Sequence, residues 1–148
     1  YAKPDLDHCV RIWRDASLVG HPFLAPTDIA ADECLVRDTY IPMARMTVAE
    51  WEGRIVGFIA MIDSFIGALF VDPDHHGLGI GRALVAAEAE RQVALSVEVY
   101  EQNRRARAFY RACGFVEIGF RDVDDQGRPF PLIGMELKPP RVNTAPAP

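Results

Sequence analysis

The stretch His75-His76-Gly77-Leu78-Gly79-Ile80-Gly81-Arg82, HHGLGIGR, sets three glycines at alternate positions between an apolar run and an alanine-rich segment. Glycine gives up a side chain and costs backbone entropy, so this density asks for a reason. Three phosphate-cradling patterns compete. A P-loop ends in Gly-Lys-Ser/Thr, whereas Gly81 is followed by Arg82-Ala83. A dinucleotide fingerprint needs GxGxxG directly after a strand, with an acidic residue about twenty positions on. Glu98 stands at a suitable distance, but the third glycine position falls on Arg82 in one register and Leu84 in the other, and residues 72–76 separate strand from glycines. The third pattern is a loop whose successive amides, with the first turn of a helix, hold a pyrophosphate against the positive helix end. A tight strand–helix turn with no ligand is the plain alternative, and the glycines alone do not separate the two.

Working outward, Phe65–Val71 (FIGALFV) and residues 55–62 (IVGFIAMI) are nearly unbroken apolar runs, as interior strands read. Residues 46–51 and the turn Glu52-Gly53-Arg54 complete a hairpin with the second of these. Downstream, residues 83–93 read as a helix with Arg82, Glu88, Glu90, Arg91 and Gln92 on its wet side. Leu95–Tyr100 alternates apolar and polar, a strand. Glu101-Gln102-Asn103 turns into a helix with Ala106, Phe109, Tyr110 and Cys113 on one face and Gly114 as its C-terminal cap. Strands over 115–123 and 130–137 flank Asp124-Asp125-Gln126-Gly127. Towards the N-terminus, residues 5–19 carry a 3.6-period stripe through Leu6, Cys9, Val10, Ile12, Trp13 and Ala16, and a more polar helix covers about 26–40, ended by Pro42. Helices first, then a hairpin, a third strand and two helix–strand units make an α/β or α+β sandwich with a mixed sheet.

A length of 148 residues bounds the chain to one domain with a substantial core. Hydrophobic content of 49% with 25% charged residues is that of a soluble globular protein, with no membrane-length apolar run and no secretory signal. Cys9, Cys34 and Cys113 are odd in number and lack metal spacing, so reduced cysteines and a cytoplasmic location are expected. The four histidines form no HExxH, and no metal is expected. A net charge of −5 argues against a nucleic-acid surface and suits a small cationic or amine partner. The tail 139–148 (PPRVNTAPAP) reads as disordered.

Together, VDPDHHGLGIGRAL and LSVEVYEQNRRARAFYRACGF resemble the GNAT superfamily of acyl-CoA-dependent N-acyltransferases. The elements that carry the likeness are Val71-Asp72-Pro73, Gly79 and Gly81, then Asn103, Ala106, Tyr110, Gly114 and Phe115. The close match covers residues 65–120, and the order of elements from 5 to 137 agrees. The resemblance implies a central mixed, mostly antiparallel, twisted sheet flanked by helices, with acetyl-CoA in a V-shaped gap between the third and fourth strands. The domain would occupy 1–138, with the family's first strand mostly absent from the chain. It further implies that Leu69 and Val71 pair with the pantetheine arm, that His76, Gly77, Gly79, Gly81 and Arg82 hold the pyrophosphate, and that Asn103 bonds the coenzyme near its reacting end. Asn103 is equally suited to an ordinary helix N-cap. His76 departs from the pattern, standing where Gln or Arg is usual; if its imidazole faces a phosphate, coenzyme affinity should rise as pH falls through about 6.5.

Acylating an amine with a thioester requires a neutral nucleophile, so a lysine-like ammonium of pKa ~10.4 must first lose a proton. Glu98 is the candidate base, directly or through water; its spacing from Asn103 and Tyr110 matches the branch of the family that acetylates ribosomal-protein N-termini. Glu101 and His21 are lesser candidates, and Phe65–Val71 carries no carboxylate. Tyr110 is the candidate acid. For unperturbed groups, protonation of a thiolate by Tyr is uphill by ~1.5 pKa units, about 2 kcal/mol, which also permits hydrogen bonding to the sulfur without full transfer. His21, Phe23, Tyr40 and Phe130 are candidate walls for the acceptor. The expected activity is transfer of an acetyl group from acetyl-CoA to a primary amine of a small molecule or peptide, by a monomer or homodimer. A non-catalytic acyl-CoA sensor is the alternative.

Overall fold

The computed structural model describes residues 1–91 and 94–139. A short 3-10 turn leads into α1 (Leu6–Gly20), whose buried apolar side chains Cys9, Val10, Ile12, Trp13 and Ala16 belong to the periodic stripe, with Ser17 buried beside them. α2 (Pro26–Leu35) begins with proline in its first turn, where the missing amide is harmless, and the Asp28 carboxylate accepts from Ala25 N at 3.3 Å. The expected single helix over 26–40 is interrupted: Val36–Tyr40 is a π-helical turn, followed by the short α3 (Ile41–Met43). Pro42 does not end the helical path, because it lies in the first turn of α3 and has no helical hydrogen bond to lose.

Six strands form one sheet: β1 (Arg45–Trp51), β2 (Arg54–Ile62), β3 (Phe65–Val71), β4 (Leu95–Tyr100), β5 (Val116–Arg121) and β6 (Leu132–Leu137), in spatial order β1-β2-β3-β4-β6-β5. Every neighbouring pair is antiparallel except β3–β4. The β1–β2 turn is made by Glu52 (φ 51°) and Gly53 (φ 76°), the left-handed pair that matches strand twist in a two-residue hairpin. α4 (Ile80–Ala89) starts at Ile80, earlier than expected, and of its expected end Gln92 and Val93 lie outside the described residues. α5 (Arg104–Ala112) closes with Gly114 at φ 100°, the expected left-handed cap. Of the tail, residues 140–148 lie outside the described residues.

α4 and α5 pack on one face of the sheet, against Val56, Ile59, Met61, Val97, Val99 and Met135. α1 and α2 pack on the other, around Phe58, Ala60 and Phe70. One expectation about α4 is overturned: Glu88 is not on the wet side but 1% exposed. Arg45 and Thr47 of β1 explain it, since the Arg45 guanidinium grips both carboxylate oxygens (3.2 and 2.5 Å) and Thr47 Oγ1 lies 3.4 Å away. A buried carboxylate is tolerated when paired in this way. Among the described residues no helix is long and apolar enough to cross a membrane.

What positions the site is a fault in the sheet. β3 and β4 pair only at Phe65–Ser96 and Ile66–Val97, and beyond these the strands part. The β2–β3 register jumps at this point, Ala60 facing Ala68 and Met61 facing Ile66, so that Gly67 is the extra residue of a bulge. A bulge bends its strand and strengthens the twist, and here it coincides with the start of the split.

Candidate active site

The gap between the parted strands holds a cavity of about 1160 Å³, lined from the glycine loop at one end to the last hairpin at the other. Asp72 N donates to Val56 O at 2.7 Å, which turns Asp72 towards β2. By strand alternation the amides and carbonyls of Val71 and Leu69 face the gap. His76 Nε2 donates to the Val71 carbonyl at 2.9 Å, so the imidazole folds back on β3 instead of facing a phosphate site. The cause is local: with β4 gone from its side, the Val71 carbonyl needs another donor.

The three glycines answer to two different demands. Gly77 and Gly79 both have φ +79°, and a Cβ on either would meet nothing, so it is conformation that requires glycine there. Gly81 lies within α4, where a Cβ would stand 3.3 Å from the Phe109 ring of α5; its role is close packing of the two helices. The first helical bond of α4 is Ala83 N to Gly79 O, which leaves the amides of residues 80–82 without a partner inside the helix. This end of the cavity therefore offers backbone donors at a positive helix terminus, a fit for a pyrophosphate. Arg82 contributes only its amide to that set, because its guanidinium is committed to the Ala112 carbonyl at 3.1 Å. Asn103 lines the cavity as the N-cap of α5, its Oδ1 accepting from Ala106 N at 3.1 Å.

At the middle of the cavity the lining includes Tyr110 on one face of the sheet and Glu98 on the other. Tyr110 is 5% exposed, with Phe109 and Phe115 each at 5.1 Å between ring centres. Burial pushes its phenol well above the ordinary range, the thiol of Cys113 adding to the effect, so it stays protonated. Glu98 alternates away from buried Val97 and Val99 and is held by a fork from Arg121, Nε at 2.7 Å and Nη2 at 3.0 Å.

The far end is walled by His21, Leu24, Tyr40, Tyr100, Asp124 and Gln126. His21 packs edge-on against Tyr100 (4.9 Å) and Phe70 (6.5 Å), and burial lowers its pKa to about 4. Near neutrality it is an uncharged ring packed among aromatic neighbours in the cavity wall. Glu101 is removed by position: it is exposed in the turn after β4 and does not line the cavity. Phe23 and Phe130 do not line it either; they stack on each other at 5.2 Å, with Phe23 also against Tyr100. Aromatic side chains read equally well as wall and as packing until neighbours are known.

Sequence reasoning did not single out the polar cluster at this end. The Tyr100 hydroxyl donates to Asp124 (2.9 Å), which also accepts from Arg128 Nε (2.7 Å), while Arg128 Nη2 reaches Asp32 of α2 at 2.7 Å. Burial alone would raise the Asp124 carboxyl, but bonds from the Arg128 amide and guanidinium and from Tyr100 outweigh it and leave it below the usual value. The sequence signal was an acidic turn, Asp124-Asp125, closed by Arg128, and a turn is all it specified.

Residues 42–117 match the profile of the acetyltransferase (GNAT) domain. The chain is 38% identical over 127 residues to the peptidyl-lysine N-acetyltransferase YjaB of Salmonella typhimurium, covering 85% of this chain and 87% of the relative. It is 34% identical over 123 residues to the peptidyl-lysine N-acetyltransferase YiaC of Escherichia coli, covering 81% and 84%. The solution structure of apo YjaB from Escherichia coli superposes with a TM-score of 0.82 at 36% identity, over 90% of each chain. A Bacillus anthracis acetyltransferase crystallised with acetyl coenzyme A superposes with a TM-score of 0.57 at 25% identity, over 66% and 63%. With the split sheet, the helix terminus at the glycine loop and these likenesses in agreement, the chain belongs to the GNAT family and is an acetyl-CoA-dependent N-acetyltransferase.

Proposed function

We propose that this enzyme acetylates the ε-amino group of lysine in a peptide or protein. The observation that carries the reading is a single cavity that joins a phosphate-type helix terminus to a carboxylate-rich end through a throat bordered by Tyr110 and Glu98. Asp32, Glu98, Asp124 and Asp125 all line that cavity, an environment that draws in an ammonium group. Relatives that are 37–38% identical to this chain over the aligned residues are peptidyl-lysine N-acetyltransferases, which supports the same acceptor.

In this reading the loop amides of residues 77–82 hold the coenzyme's pyrophosphate, and the gap-facing backbone of Leu69 and Val71 pairs with its pantetheine arm. Glu98 takes a proton from the lysine ammonium, directly or through water, and the freed amine attacks the thioester carbonyl. The carbon–sulfur bond breaks as the amide forms, and the second proton leaves the nitrogen through water to the departing thiolate, so that coenzyme A leaves as the free thiol. Tyr110 donates a hydrogen bond to the departing sulfur; its raised pKa makes full proton transfer costlier than for an ordinary phenol and favours this softer role.

The test is acceptor-dependent CoA release with lysine peptides blocked at the α-amine, with mass spectrometry locating the added acetyl group. Acetylation at the lysine side chain is expected. Saturable coenzyme binding with no release on any amine or peptide would replace the reading with a sensor.

A further inference from the structure

Arg121 is the unexplained charge at the throat. It lies on the edge strand β5 with its side chain 43% exposed, yet it makes three short contacts, two to Glu98 and one to Asp125 Oδ1 at 2.7 Å. Both oxygens of the candidate base are thus occupied by a cation supplied by the protein itself. We propose that Arg121 is a positioning residue that stands in for the substrate's ammonium: it holds Glu98 at the throat in the empty enzyme and yields to the incoming lysine, withdrawing to Asp125. This rests on the peptidyl-lysine reading and on Glu98 as the base.

The surroundings favour such an exchange. A second carboxylate already shares the guanidinium, so leaving Glu98 does not strand the charge. The side chain is more exposed than that of Arg128, the arginine of the neighbouring polar cluster, which is 15% exposed and bound to both Asp124 and Asp32. The remaining charged and titratable groups around Glu98 are otherwise engaged or distant in register. Asp124 and Tyr100 bond each other, Glu136 of β6 faces Ser96 in place of Glu98, and Tyr110 approaches from the opposite face of the sheet. An open depression of about 360 Å³ is lined by Phe65, Glu98, Ile118, Arg121 and Gly134, so the contact lies at the surface.

Removing the competitor should help a charged acceptor and leave an uncharged one unaffected. Arg121→Gln is expected to lower KM for a lysine peptide about threefold, as an exposed pair is weak. A peptide with p-aminophenylalanine in place of lysine, neutral at pH 7, should show no KM change. Arg121→Lys should restore the wild-type KM for the lysine peptide, and calorimetric affinity for CoA should be equal in all three proteins. An unmoved KM for the lysine peptide in Arg121→Gln, or equal KM changes for both peptides, overturns the proposal while leaving the activity standing. A wild-type enzyme inert towards lysine peptides, or a Glu98→Gln variant with wild-type rate and pH profile, overturns it together with the reading beneath it.

Discussion

Tyr110 reaches the cavity as a phenol stripped of water, between two phenylalanine rings on a helix face that otherwise only packs. Its neighbours keep the proton on and hold the ring, so removing the oxygen alone isolates its chemical part. Tyr110→Phe is expected to lower kcat at least about tenfold, or about 1.4 kcal/mol of barrier, with unchanged calorimetric affinity for CoA. A variant of full activity would remove the role. His21 supplies the pH dependence at this scale. Its folded pKa is about 4 against 6.5 unperturbed, so between these values the unfolded chain binds a proton that the folded chain refuses. The stability it contributes is complete above pH 6.5 and is lost as pH falls towards 4, by up to about 3 kcal/mol. Urea unfolding of His21→Gln should show a flatter decline across that window, and an unaltered slope would contradict the burial argument. Residues of this kind were half legible in advance: their spacing put Tyr110 and Glu98 on elements that line the cavity, but the surroundings of His21 depended on rings distant in sequence.

At the scale of elements, α4 is fastened at both ends. Its N-terminal turn lies against Phe109 through Gly81, and its C-terminal half is pinned to β1 by the buried Glu88–Arg45 pair. The two partners are not equivalent, since Glu88 is buried whereas Arg45 is 44% exposed. Removing the arginine leaves a carboxylate stranded in the core; neutralising the glutamate leaves an arginine that water can solvate. Arg45→Met is therefore expected to cost about 3 kcal/mol or more in urea-unfolding free energy, and Glu88→Gln distinctly less. Equal losses would mean that the pair acts through packing alone. Glu88 was misread because on an alanine-rich helix the boundary between wet and dry faces is weakly marked. Only β1, far away in sequence, supplies the partner that lets the carboxylate be buried.

For the whole molecule, the decisive feature is that the two walls of the far end of the cavity come from opposite ends of the chain. α2 and the last hairpin are tied by Asp32–Arg128–Asp124, and the π-helical turn meets the same hairpin where Gln126 donates to the Tyr40 hydroxyl at 3.3 Å. Asp124→Ala would free this wall without touching the glycine loop. Acceptor KM should rise severalfold and stability fall by about 3 kcal/mol, while CoA affinity stays constant. A parallel loss of CoA affinity would show that the two ends of the cavity are coupled.

Periodicity and punctuation along the chain determined the elements, their order, the glycine loop and the family, because each is written in local spacing: period two or 3.6, positive-φ glycines, an Asn that caps a helix. The parting of β3 from β4, the burial of Glu88, the turn of His76 onto Val71 and the fork of Arg121 on Glu98 were decided only by the tertiary structure. Each depends on which groups lose a partner when a sheet splits, and on which distant residue arrives to replace it, and no local pattern encodes that.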